Sequence, residues 1–336
     1  MPKSMPVVAL SEMVSGQEAD LFVLMTAKEE LTTKNGKPYF KVGFRDARRE
    51  VSFPIWDNSP WAVDCRDEWT PGSFYKLRAV YRETDYGPQL DIRRIRTAGD
   101  GDAADGFDPA MCRPQSRFDP QAMFDELSAL AAEQLEDRPL GRLVETILEQ
   151  NRDTLLSVPA ARHNHHGYAA GLLEHTLSVA RTAAYLARKY DEYYPDMQPP
   201  LDAGLVVAGA ILHDVGKVRE LRQDPTAIAY TPQGELVGHM LLGRDVVREA
   251  GAGSAIDPET LLRLEHLVIA HQRLPEWGSP KPPMTPEALI VHYADDLDAK
   301  YHMFYAALRD DNNPGPTTSN KNMLHQRVFR GMREEG

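Results

Sequence analysis

The hydrophobic pattern of this chain changes period once, near residue 100, and that change limits the fold more than any other feature. Up to that point apolar residues follow a two-residue period. Leu21, Val23 and Met25 alternate with Phe22 and Leu24, and Tyr39–Arg45, Glu50–Trp56, Phe74–Arg82 and Gln89–Arg96 keep the same rhythm with β-branched and aromatic residues. Turn-forming clusters separate these runs, at Lys34-Asn35-Gly36-Lys37-Pro38 and Thr84-Asp85-Tyr86-Gly87-Pro88. Trp61–Trp69 is the one short helical stretch among them. Beyond residue 117 the apolar positions recur every three to four residues. This predicts helices over Pro120–Leu135, Leu140–Leu156, Leu172–Tyr190, Ala203–Val215, Leu236–Ala250, Pro258–His271 and Pro286–Leu308.

Two patterns in one chain of 336 residues predict a multi-domain protein, with an all-β N-terminal domain and an all-α C-terminal helical bundle. Three strands, a short helix and two strands is the order of an OB barrel, a five-stranded closed sheet that often binds single strands. The expected boundaries are 1–98 for the OB-fold nucleic-acid-binding domain, 99–117 for a Gly-, Asp- and Pro-rich linker, and 118–336 for the helical domain. Charge divides at nearly the same place. Residues 1–100 hold 15 basic and 15 acidic side chains, so the whole net charge of −12 lies in the rest. That balance argues against non-specific coating of nucleic acid, while a neutral front half can still carry a local basic groove. Lys37, Tyr39, Arg45 and Trp56 are the candidates there, as aromatic faces flanked by cations. The competing reading is that a small barrel needs its aromatics for its core. Two cysteines, no signal-peptide core and no apolar run near the ~18 residues of a membrane span predict a cytoplasmic protein with no membrane partner.

The chemistry concentrates in the helical half. The run Ala210–Lys217, A-I-L-H-D-V-G-K, places His213 and Asp214 directly after an apolar stretch. A carboxylate buried there is costly unless a cation or a strong hydrogen bond compensates it. All eleven histidines lie beyond residue 100, several of them near carboxylates. His175 falls in G-L-L-E-H-T, and Asp295, Asp296 and Asp298 fall in H-Y-A-D-D-L-D-A-K. A helical bundle can bring His175, His213, Asp214 and Asp295 to one point, and this mixed N and O set suits Mn²⁺ foremost, with Fe²⁺, Mg²⁺ or Zn²⁺ as alternatives. Asp296 and Asp298 are expected to face solvent or to support a ligand from behind. Lys217, three residues beyond Asp214 on a continuing helix, would project from nearly the same face.

These motifs, with H-H-G-Y-A-A-G-L-L-E-H-T (165–176), G-H-M (238–240) and W-G-S-P-K-P-P-M-T-P-E-A (277–288), resemble the HD phosphohydrolase superfamily. Within it the chain resembles the YhaM-type 3′→5′ exoribonucleases, which also carry an N-terminal OB domain. The resemblance implies a metal-dependent phosphodiesterase that hydrolyses single-stranded RNA, and ssDNA as a second substrate, to nucleoside 5′-monophosphates. It assigns His175, His213, Asp214 and Asp295 to the metal, makes Asp214 and Lys217 catalytic, gives His166 a phosphate or leaving-group contact, and implies a homo-oligomer. Where that family has two adjacent histidines, this chain has His271–Gln272. Glutamine is a poorer ligand than imidazole, so His239, His266 and His271 are left to hold either a weaker second metal or a phosphate. Two rival readings stay open: an HD phosphohydrolase of nucleotides or cyclic dinucleotides, and a non-catalytic nucleic-acid-binding protein with a degraded HD site.

Overall fold

A computed structural model describes residues 5–332 except 34, 85–86, 137, 162–165, 224–227, 312 and 314. The expected turn residues Lys34, Asp85 and Tyr86, and the motif residue His165, lie outside the described residues. The described residues divide between Gln115 and Ser116 into two compact units.

The first unit is a five-stranded antiparallel barrel. Its strands are β1 (Glu18–Thr32), β2 (Pro38–Arg45), β3 (Glu50–Trp56), β4 (Phe74–Thr84) and β5 (Gly87–Thr97), with helix α1 (Ala62–Asp67) between β3 and β4. The ladder order is β3-β2-β1-β4-β5, and β3 lies alongside β5, which closes the sheet. This is the OB strand order that the alternating pattern predicts. The long β1 makes closure possible: Glu18–Leu24 pair with β4, and Leu24–Thr32 pair with β2. A bulge between Met25 and Ala27 bends the strand from one partner to the other. Leu21, Val23, Met25, Val42, Phe44, Phe53 and Leu77 fill the interior.

Phe22 and Leu24, on the outer face of β1, are buried as well. The reason corrects the expected linker. Residues 99–115 fold onto the barrel as two 3₁₀ turns, Asp100–Asp105 and Pro109–Cys112. Phe107 sits between Phe22 and Phe74, with ring centroids 5.0 and 5.4 Å away, and Cys112 is fully buried. Asp102 receives the Arg96 guanidinium and the Gly99 amide. Single anchors in a Gly- and Asp-rich stretch leave no periodicity, so composition alone reads such a segment as a tether.

The second unit is helical: α2 (Pro120–Leu135), α3 (Pro139–Gln150), α4 (Arg152–Leu155), α5 (Gly171–Tyr193), α6 (Ala203–Leu212), α7 (Lys217–Glu220), α8 (Pro232–Val237), α9 (His239–Gly251), α10 (Pro258–Ala270) and α11 (Pro286–Asp310). A small hairpin, β6 (Leu221–Gln223) and β7 (Ile228–Tyr230), follows α7. Helix α6 is buried on every side and packs against α5, α10 and α11, so the whole unit is built around it. Three expected helices are shorter than their periodicity. Residues 140–156 break at Asn151, and residues 236–250 break at Gly238, whose φ of +80° no helix accommodates. The expected Ala203–Val215 helix ends at Leu212, and the chain then turns through 213–216 before α7. No helix among the described residues is long and apolar enough to cross a membrane.

Candidate metal centre

Two of the central histidines sit where helices end. A terminating helix leaves its last carbonyls without intrahelical donors. His213 caps α6 and His271 caps α10, and each gives its Nδ1–H to the carbonyl three residues back: Ala210 at 2.8 Å and Val268 at 2.7 Å. His175 donates Nδ1–H to Asp298 Oδ2 at 2.7 Å, and His239 donates to Glu220 Oε1 at 3.2 Å. A carbonyl or carboxylate oxygen only accepts, so each neutral ring carries its lone pair on Nε2. All four Nε2 atoms converge on Asp214.

The ligand atoms form two groups. In the first, His175 Nε2 lies 3.3 Å from His213 Nε2 and 3.2 Å from Asp295 Oδ1, while Asp214 Oδ2 is 3.5 Å from His213 Nε2. In the second, Asp214 Oδ1 is 3.5 Å from both His239 Nε2 and His271 Nε2. Ligands about 2.0–2.2 Å from one ion stand about 3–3.6 Å from each other, so both groups have the spacing of a coordination shell. Asp214 Oδ1, His239 Nε2 and His271 Nε2 are buried with no hydrogen-bond partner. Leaving such an atom unsatisfied costs about 1–3 kcal/mol, a penalty that a shared cation would remove. The donor set therefore fits divalent ions, one per group, with Asp214 between them.

The electrostatics have the same sign. Asp214, Asp295 and Asp298 converge on the site against one buried ammonium, Lys217, whose Nζ donates to Asp214 Oδ2 at 2.5 Å. Burial would raise the Asp214 pKa, but Lys217 and His213 hold it well below the ordinary carboxylate range. Burial alone would also lower that of His175, yet Asp295 and Asp298 lift it to about 9. Burial pulls His213 down to about 4, which keeps its ring neutral. A positive charge belongs among these groups.

Of the residues singled out by sequence, His175, His213, Asp214 and Asp295 are brought together, and His239 and His271 join them around the far oxygen of Asp214. Asp214, His239 and His271 form this second group among themselves, their ligand atoms within 4.8 Å of one another. His266 does not belong. Five positions before His271 on α10 it faces another way, and its Nε2 accepts the Met284 amide at 2.9 Å. Lys217 reaches Asp214 from the first position of α7, across the turn at 213–216 rather than along a continued α6, and its ammonium is engaged by that carboxylate. His166 lies behind His175, with Nε2 3.1 Å from Asp298 Oδ2 and Nδ1 2.6 Å from the Tyr168 hydroxyl. Asp298 is a support and not a solvent-facing residue, since Ser178 also donates to it, whereas Asp296 pairs with Lys300 at 3.0 Å on the surface. Sequence reasoning missed Glu220 and Ser178. The only available signal was a charged residue closing K-V-R-E so soon after the His–Asp pair.

In the barrel, Tyr39 and Trp56 are cross-strand partners with ring centroids 5.0 Å apart, and Trp56 is 48% exposed. Lys37 is exposed just ahead of β2. Arg45 is at the opposite end of that strand, roughly 20 Å away at about 3.3 Å per residue. It is half-buried beside Glu50 and Cys112, with burial lowering its pKa. The structure therefore separates Arg45 from the aromatic pair. A groove of about 420 Å³ along the β3–β5 seam places Trp61, Arg82 and Arg93 near Trp56 instead.

Residues 172–300 match the HD domain family model. The match spans every candidate ligand of both groups, from His175 to Asp295. The matched stretch lies within the helical unit, beginning one residue into α5 and ending within α11. The β unit is similar to the second OB-fold domain of replication protein A from Methanococcus maripaludis, solved by NMR, at 14% identity and a TM-score of 0.21. It is also similar to a crystal structure of a domain of the same protein, at 9% identity and a TM-score of 0.22. Each likeness covers 27% of this chain and 93% of that one. The strand order, and not these values, defines the barrel.

Proposed function

We propose that this chain is a metal-dependent phosphodiesterase that shortens single-stranded RNA from its 3′ end and releases nucleoside 5′-monophosphates, with Mn²⁺ as its ion and ssDNA as a second substrate. One observation carries the reading: the two oxygens of Asp214 address two different groups of ligand nitrogens. His175, His213, Asp214 and Asp295 would hold one ion, and Asp214, His239 and His271 a second. Bound divalent ions lower the pKa of a water and polarise a phosphoryl oxygen. The chain's own groups do the rest. Asp298 and Glu220 orient the rings of His175 and His239, as outer partners of metal ligands do. Lys217 steadies Asp214 and limits the charge gathered there. His239 and Asp295 are the more open ligands, each 14% exposed, so a phosphodiester would approach past them.

RNA labelled at the 5′ end should give a ladder shortening from the 3′ end in Mn²⁺, whereas a 3′ label should appear at once as mononucleotide. Excess EDTA should stop both, and added Mn²⁺ should restore them. Turnover of a free nucleotide or cyclic dinucleotide with RNA untouched would replace this reading. RNA binding indifferent to chelator, with no monophosphate formed, would make the chain a binding protein only.

The barrel would guide the strand through Lys37, Tyr39 and Trp56. Stacking of a base on an aromatic ring is worth about 1–3 kcal/mol. Trp56→Ala should therefore weaken binding of a single-stranded oligonucleotide about tenfold or more in a fluorescence titration, while hydrolysis of bis(4-nitrophenyl) phosphate stays at the parent rate. Unchanged affinity would remove the aromatic pair from the contact surface.

A further inference from the structure

A cavity of about 510 Å³ lies in the helical unit between α2, α5 and α11, outside both ligand groups. Its volume is that of a small-molecule site. His166 and Asp298 line it, and these same two side chains back His175. One imidazole ring therefore separates the cavity from the ligand nitrogens. Asp295 and Asp298 stand one turn apart on α11, so the ligand set and the cavity share one face of that helix.

The lining is mixed in a particular way. Phe118 and Tyr305 are both about half exposed, and the Arg117 guanidinium lies 4.7 Å from the first ring centroid and 5.8 Å from the second. No carboxylate among the described residues pairs with Arg117. Arg309 also lies near the Tyr305 ring, 5.3 Å from its centroid, so half-exposed aromatic rings and guanidinium groups stand together here, a combination suited to a flat, electron-rich ring. The polar lining includes Glu174, which accepts the Ser116 hydroxyl, and His302, whose enclosed Nδ1 has no hydrogen-bond partner. Such groups can meet sugar hydroxyls.

We propose that this cavity is a nucleoside subsite for the bound strand, its base held against Phe118, Tyr305 and Arg117. The proposal rests on the phosphodiesterase reading for its purpose, but its test needs no turnover. Calorimetric titrations of AMP, ribose 5-phosphate and inorganic phosphate into the Mn²⁺-loaded full chain should show AMP binding at least tenfold more tightly than ribose 5-phosphate. Tyr305→Ala and Phe118→Ala should each erase most of that difference, and Tyr305→Phe should keep it. Both rings are half exposed, and a thermal melt identifies any variant that fails to fold. With oligoribonucleotide as substrate, Tyr305→Ala should raise KM and leave kcat within about twofold. AMP binding no more tightly than ribose 5-phosphate, or a Tyr305→Ala chain that retains the full preference, would overturn the proposal. If RNA shortens from its 3′ end and AMP shows no preference, only the subsite is wrong. If AMP binds as stated and RNA is untouched, only the exonuclease reading falls.

Discussion

Asp214→Asn should lower phosphodiester hydrolysis by well over a hundredfold and reduce bound Mn²⁺ to less than one ion per chain. Loss of an outer partner of a metal ligand costs about 10–100-fold. Asp214 touches both ligand groups, so its neutralisation should exceed that range. The same change has a second effect in the metal-free chain. Lys217 is buried against this carboxylate, and removing one partner of a buried ion pair costs about 3–5 kcal/mol. Asp214→Asn should therefore melt below the parent even in EDTA. Lys217→Met separates the two roles: it too should melt early in EDTA, because Asp214 is then unpaired, but it should regain much of the loss when Mn²⁺ is added. Metal content by mass spectrometry, melts with and without EDTA, and initial rates measure all three. A variant Asp214→Asn that keeps both ions and a rate within tenfold of the parent would refute the bridging role.

Gly216→Ala should be nearly as damaging, for steric reasons alone. Its φ of −62° suits alanine, so backbone preference is not at issue. A Cβ there would stand 1.9 Å from the carbonyl oxygen of His239 and 2.5 Å from the amide nitrogen of Gly243, both backbone atoms of α9. The start of α9 must then move away, and His239 moves with it. Overpacking costs about 1–3 kcal/mol, and the upper end is expected where the obstacle is backbone. The second ligand group should open while His175, His213 and Asp295 stay in place. The expected outcome is a denaturation midpoint lowered by that amount and a Mn²⁺ stoichiometry reduced by one. Parent-like stability together with two bound ions would show that α9 yields more easily than its backbone contacts imply.

Much of this arrangement was legible in the chain because the informative spacings are short. His213 and Asp214 are adjacent, and the two-residue period survives as alternating burial along β3 and the first half of β4. Short spacings also explain the errors. His266 and His271 look like equivalent candidates in one dimension, yet five residues turn a helix by about 140° past full circles. The amide that occupies His266 comes from Met284, eighteen positions away, and no local pattern announces it. Phe107 was invisible for a similar reason: one aromatic residue in a polar stretch becomes structural only when Phe22 and Phe74 meet it from other strands. Glu220 needed the turn at 213–216 to be known first, since only that turn brings α7 back toward α9.

The capping histidines make chain length a chemical variable. His213 and His271 take their orientation from the carbonyls of residues 210 and 268, and the identity of the side chains there is immaterial to the bond. Substitutions within α6 or α10 that preserve packing should leave the imidazoles aimed as they are. Inserting or deleting a single residue would rotate the last turn by about 100° and swing Nε2 away from Asp214. The count of residues between the packed body of each helix and its end is what aims the ring.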